Sequence, residues 1–163
     1  MATKEQTPTP CRNIAFQLNA NSFVRTGYTF RGWNTDWNAT TVQYSDLQTV
    51  TFDGDRDLYA LWRPNTYKVR FNANTGTGSM SDQNFTYDVA QLLNPNTFVK
   101  VGHTYLGWGT STTSGKVYDN QQSVINLTDV DGAIVTLYAA WRINQYTATF
   151  SHNDGTGNTT VKT

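Results

Sequence analysis

The chain repeats itself, and that constrains its fold more than any other feature. Gly27-Tyr28-Thr29-Phe30-Arg31-Gly32-Trp33 matches Gly102-His103-Thr104-Tyr105-Leu106-Gly107-Trp108 at a spacing of 75 residues. The match runs upstream without a gap, Asn19 to Arg25 against Asn94 to Lys100. Leu58-Tyr59-Ala60-Leu61-Trp62 matches Leu137-Tyr138-Ala139-Ala140-Trp141 at a spacing of 79, and Tyr67 to Gly78 matches Tyr146 to Gly157 at the same spacing. The change from 75 to 79 puts four extra residues between Trp108 and Leu137, where insertions belong in loops. Self-similarity at a period of this length marks stacked or tandem units, each a small fold of its own.

The spacing divides the chain. A polar tail covers 1–11, a partial unit 12–62, a joint 63–65, a complete unit 66–141, a second joint 142–145 and the opening of a further unit 146–163. The partial unit has no counterpart of 66–86, the opening hairpin, and 146–163 begins that same hairpin. One alternative alignment sets Ile14–Asn21 against Tyr67–Asn74, which would make it the first strand of a shortened unit with nothing missing. The ungapped match of Asn19–Trp33 to Asn94–Trp108 speaks against it.

Composition points the units toward strands. Of 163 residues only 15% are charged, and Glu5 is the sole glutamate, whereas helix surfaces draw on Glu, Lys, Arg and Ala. Thr, Asn, Gly, Asp and aromatic residues take their place, and these suit strands and turns. In the complete unit Tyr67, Val69 and Phe71 alternate with Lys68 and Arg70, the pattern of a half-buried strand. Asn74–Gly78 reads as a turn, Phe85–Tyr87 as a returning strand, His103–Trp108 as a third strand and Ile134–Trp141 as an apolar last one. Asp88 to Leu93 is expected to form a short helix with Asp88 as N-cap, stopped by Pro95. The expected fold class is therefore α+β and β-rich, with one short helix against a small mixed sheet in the complete unit.

These residues resemble the Listeria–Bacteroides repeat family of the internalin B-repeat type. The pattern is an aromatic opening strand (Tyr67–Phe71), a Gly-rich turn (Gly76–Gly78), a G-Y-x-F-x-G-W block (Gly27–Trp33, Gly102–Trp108) and a terminal L-Y-A-x-W (Leu58–Trp62, Leu137–Trp141). The resemblance covers 12–163. It implies tandem, small, β-grasp-like modules, the first lacking its opening hairpin. It further implies a part of a bacterial surface protein acting as stalk, adhesive array or partner-binding module. The chain departs from the family in its framing, which starts inside one unit and stops inside another.

Charge and motifs exclude other functions. Twelve Lys+Arg balance twelve Asp+Glu, which removes the electrostatic drive toward nucleic acid or anionic membrane. No apolar run approaches the roughly 20 residues that span a bilayer, so no membrane insertion is expected. Residues 1–11 carry no apolar signal core, so the expectation is either a protein not exported in this form or one from which a leader has been removed. Cys11 stands alone, so no internal disulfide is expected. No nucleophile elbow is present and no acid pair is placed in a cleft, and no Lys–Asn–acid trio for an isopeptide crosslink can be assigned. No enzyme activity, cofactor or metal is expected. His103 stands where Tyr28 stands in the other unit, which suggests ring packing, and His152 has no second ligand beside it. Asp53, Asp55 and Asp57 alternate in the manner of calcium ligands on a loop, yet 132–136 carries no such acids, so a turn is the simpler reading. Asn38, Asn84, Asn126 and Asn158 open glycosylation sequons, which matter only in a host that glycosylates.

The remaining candidates are aromatic. Trp33, Trp62, Trp108 and Trp141 recur at equivalent positions and are expected in the cores of the units. Trp37 has Thr112 as its counterpart, so the repeated core does not require it, and an indole in a Thr/Asn-rich loop can stack on a sugar or a protein partner. The strand Tyr146, Ala148 and Phe150, or the alternate set Thr147 and Thr149, is a candidate for donation to the partial unit of another copy; the alternatives are that it folds back onto the partial unit of its own chain, or that the sequence is a surface module cut from a longer repeat array. A head-to-tail contact of that kind builds a filament. The partners expected are thus the chain itself, or a host-surface protein or glycan.

Overall fold

The computed structural model describes residues 14–153, 155–157 and 159–162. The polar tail with Cys11, and the sequon at Asn158, lie outside them.

The second unit is built on one four-stranded sheet. Strands β5 (Thr66–Asn72), β6 (Gln83–Thr86), β8 (His103–Gly109) and β10 (Ile134–Ile143) lie in the order β6-β5-β10-β8. β5 and β6 form the antiparallel hairpin, β10 runs parallel to β5, and β8 closes the other side antiparallel to β10. The alternation in β5 does what its pattern predicts: Tyr67, Val69 and Phe71 are buried while the residues between them face solvent. Burying each such side chain contributes about 1.5–3 kcal/mol. A two-residue ribbon, β7 (Gln91–Leu92) with β9 (Ser123–Val124), crosses over that buried face. Between sheet and ribbon lie Phe85, Leu93, Phe98, Trp108, Val124 and Leu137.

The first unit repeats four of these elements. β2 (Tyr28–Asn34) pairs antiparallel with β4 (Tyr59–Pro64), and β1 (Phe16–Gln17) with β3 (Thr49–Val50). They stand where β8, β10, β7 and β9 stand in the second unit. Even the irregularities coincide. A bulge skips Arg31 in β2 and Leu106 in β8, adding local twist beside Gly32 and Gly107. Both glycines have φ near +150°, and a Cβ on either would strike the carbonyl of Tyr44 or Tyr118. That close approach lets Trp33 and Trp108 exchange backbone hydrogen bonds with the same tyrosines, at 2.8 and 3.0 Å and at 2.8 and 2.9 Å.

The segment 14–21 takes the place of 89–96, not that of the opening strand. Phe16 pairs with Val50 as Gln91 pairs with Val124, and Leu18 is buried as Leu93 is. Asn21 accepts from the Phe23 N–H and donates to its carbonyl, the turn that Asn96 makes with Phe98.

The α+β, β-grasp-like expectation is corrected. Among the described residues there is no helix. Residues 88–93 form a turn and strand β7 instead. Asp88 has φ +62°, incompatible with the extended backbone of an N-cap. Its N–H donates to the Asn126 side chain at 2.6 Å. Six residues ahead of a proline are also too few to hold a helix without a long apolar stripe. The layer over the sheet is therefore loop and ribbon, with no helix for the sheet to grip.

Beyond β10, β11 (Ala148–Ser151) and β12 (Thr159–Lys162) form an antiparallel hairpin whose residues are all exposed. Its turn keeps the left-handed asparagine of the β5 turn, Asn153 for Asn74.

Candidate functional site

The free edge of β4 is the first part of the site. In the second unit β10 is flanked on both sides, by β8 and by β5. In the first unit β4 pairs with β2, and no described strand takes its other edge. An unpaired edge presents a row of backbone donors and acceptors to any extended chain. Beneath it runs a groove lined by Phe16, Leu18, Trp33 and Leu58, continuing past Phe52. The equivalent ground in the second unit is filled: Phe71 lies 4.7 Å from the Trp108 ring, and Leu137, the counterpart of Leu58, is fully buried. Leu58 stays half-buried.

The β11–β12 hairpin and the residues leading into it carry the side chains that would fill such a groove. Tyr146 is 74% exposed and Phe150 57%, whereas their counterparts Tyr67 and Phe71 are buried. Ala148, the third member of the candidate strand, is exposed as well.

The second part of the site is the joint between the units, which centres on Asn65. All four of its polar groups are used. Its N–H donates to Gly27 O at 2.8 Å and its carbonyl accepts from Tyr87 N–H at 2.9 Å. Its side-chain oxygen accepts from Thr29 Oγ1 at 2.6 Å, and its amide nitrogen donates to Asp129 O at 2.6 Å. Around it Arg63 grips Asp131 with both terminal guanidinium nitrogens, Nη2 at 2.6 and Nη1 at 3.3 Å, and Thr66 N–H adds a third bond to that carboxylate. These hold the Asp131 carboxyl below its ordinary pKa, the Arg63 hydrogen bond first. Tyr28 donates to Asp88, whose carboxyl is likewise held low, by Asn126 and then by Tyr28, while the Tyr28 hydroxyl is pushed up by Asp88. The Tyr87 ring seals the joint against Gly27, where a Cβ would lie 2.2 Å from it. The sequence contains a signal for this joint: Trp-Arg-x-Asn at 62–65 recurs at 141–144. Sequence reasoning placed joints there without assigning the asparagine a task.

The other candidates are scattered. Trp33 and Trp108 are buried, each with an indole N–H that finds no protein acceptor. Trp62 and Trp141 are half-buried; the Trp141 N–H donates to Ala73 O at 2.9 Å. Trp37 stands 76% exposed on a bend held by side-chain turns of Asn34 and Asp36. Asp53, Asp55 and Asp57 are exposed, with Asp53 paired to Arg56. Among the described residues no cluster of three or more potential metal ligands forms. His103 faces the Val101 carbonyl, and His152 faces Thr160 inside the hairpin.

Comparison with known proteins agrees with the doubled architecture. The model of the Listeria–Bacteroides repeat domain matches residues 6–61 and again 67–140. A protein of Evansella cellulosilytica, provisionally named a Gly-rich membrane protein, is 33% identical over 152 residues, 88% of this chain and 17% of its own length. A second from the same organism, provisionally named a membrane protein, is 31% identical over 129 residues, 79% of this chain and 18% of its own. The chain thus spans less than a fifth of either relative. No solved structure matches it. Among the described residues no helix is long and apolar enough to cross a membrane.

Proposed function

Because this chain belongs to the Listeria–Bacteroides repeat family, we propose that it is a non-enzymatic structural or adhesive repeat protein of the bacterial surface. In this reading it assembles head to tail. The hairpin of residues 146–163 leaves one copy and completes the first unit of the next, with Tyr146, Ala148 and Phe150 facing the core. The supporting observation is the difference between the two equivalent strands: among the described residues β10 is paired on both edges and β4 on one. An incoming strand would gain backbone hydrogen bonds along β4 and side-chain burial in the groove under it.

Light scattering after size exclusion tests this on the full chain and on a version ending at Gln145. Mass that grows with concentration, and stops growing on truncation, is the expected result. A monomer whose melting temperature drops on truncation would mean pairing within one chain. A monomer indifferent to truncation would end the donation reading.

One observation favours a second reading, in which the surface module binds a glycan or a host protein: the exposed indole of Trp37. Glycan binding that disappears in Trp37→Ala, with the fold intact, would support it.

A further inference from the structure

The joint at Asn65 has a second, half-made copy at the far end of the complete unit. Asn144 N–H donates to Gly102 O at 2.8 Å, as Asn65 does to Gly27. Thr104 Oγ1 donates to the Asn144 side chain at 2.7 Å, as Thr29 does to Asn65. Here the copy stops. Gly102 has the left-handed backbone of Gly27, but no atom lies within 4 Å of where its Cβ would be, while Tyr87 covers Gly27. The Asn144 amide nitrogen turns to Tyr146 Oη at 3.2 Å, where that of Asn65 reaches the loop before β10. Arg142, the counterpart of Arg63, is exposed.

We infer that this end of the complete unit docks the first unit of a second copy, and that Asp53 of that copy takes Arg142. The inference rests on the donation reading and adds to it a face, a register and an ion pair. The register follows from the pairing already seen. β5 meets β10 with Phe71 opposite Leu137 and Asn72 opposite Tyr138. The loop ahead of β10 continues this, Gly132 N–H donating to Thr66 O at 2.7 Å. Moved along the repeat by 79 residues, the same register sets Phe150 opposite Leu58, Ser151 opposite Tyr59 and Gln145 opposite Asp53. Phe150 then enters the groove beside Trp33, as Phe71 lies on Trp108.

That register carries residues 50–54 of the second copy to the place that 129–133 holds in the existing joint, with Asp53 at the position of Gly132. There Asp131, next to Gly132, receives Arg63. In the loop 53–57 three aspartates outnumber Arg56, so its charge is opposite to that of the arginine it would face. Asp53 is the acid nearest Arg142 in this register. Its present ion pair with Arg56 is solvent-exposed, and exchanging one exposed pair for a more sheltered one is inexpensive. The Asp53–Asp57 alternation thereby gains a role that neither a calcium site nor a simple turn supplies.

The test is a charge exchange in the full chain. Arg142→Asp and Asp53→Arg are made singly and together, and assembly is followed by sedimentation velocity across concentration. Both positions are exposed, and unchanged circular dichroism of the monomers verifies the fold. Each single variant is expected to raise the concentration needed for assembly about tenfold or more, as loss of a charge pair at an interface does, and the double variant to restore it. Single variants that assemble like the native chain overturn the docking face while leaving strand donation in place. Single variants that weaken without rescue in the double variant overturn the Arg142–Asp53 pairing. A native chain that stays monomeric, or assemblies that survive truncation at Gln145, overturn the donation reading itself.

Discussion

Trp33 and Trp108 occupy the same bulged position in the two units, packed over the same kind of two-residue ribbon, yet their surroundings differ. Trp108 is wholly buried and meets Phe71, Phe98 and Tyr105. Trp33 meets Phe23 and Phe30, and one wall of its pocket is an open groove. The whole difference traces to one hairpin. β5 brings Tyr67, Val69 and Phe71 under the sheet and pairs the second edge of β10. With no counterpart among the described residues, the first unit keeps its strands and bulge, but its core of Leu18, Trp33 and Val50 has few buried neighbours there. The ribbon and the β2–β4 pair are thus sufficient to form the site and insufficient to close it.

The sharpest way to break this comparison is to delete both indoles. Trp108→Ala should cost about 3–5 kcal/mol, the usual range for an aromatic removed from a closed core. Trp33→Ala should cost clearly less, because its pocket already collapses onto a groove. Denaturant unfolding of the two variants measures this directly. Equal losses would mean that the first unit is as well packed as the second, and the idea of an open core would fail.

A smaller and opposite effect is expected at Tyr105. Its counterpart is Phe30, and its hydroxyl is buried without a protein partner, so burial pushes its pKa up. Tyr67 makes the contrast: its hydroxyl, also raised by burial, accepts from Leu127 N–H at 3.2 Å. Tyr105→Phe should therefore stabilise the chain by about 1 kcal/mol, since it removes an unsatisfied polar group and keeps the ring. A lower melting temperature in this variant would show that the hydroxyl has a partner, such as an ordered water.

The smallest effect concerns how the units are held together. The Asp88 and Asp131 carboxyls are held below their ordinary pKa in the joint. A depressed carboxylate contributes stability that is complete above its unfolded pKa, about 4, and is lost as the pH falls through the lower folded value. Asp131→Asn should therefore melt below the native chain at pH 7, with the gap closing as the pH drops under about 4. A gap that persists in acid would assign the effect to shape and not to charge.

The success of the sequence reading followed the range of the interactions involved. The alternation in β5 is a local pattern, and its burial is what that pattern predicts. The glycine before each tryptophan recurs in both units of the sequence, and in the structure a Cβ on Gly32 or Gly107 would collide with a neighbouring loop. The short helix failed because Asp88 answers to Asn126 and Tyr28, residues 38 and 60 positions away. A capping propensity could not register them. Asn65 was invisible for a similar reason: its partners come from Gly27, Thr29, Tyr87 and Asp129, which only the folded chain brings together.

What the amino-acid order settled unaided is the doubling. Spacings of 75 and 79 residues, and the residues that recur at them, define equivalent strands before any coordinates exist. Side-chain periodicity is a property of neighbours in the chain, so it survives translation into structure. The tertiary structure alone decided which edges are paired, which tryptophan is sealed and how one unit is bolted to the next. Those outcomes depend on contacts between residues dozens of positions apart, where the cost of closing the intervening chain has to be met by packing and hydrogen bonds that no local pattern reports.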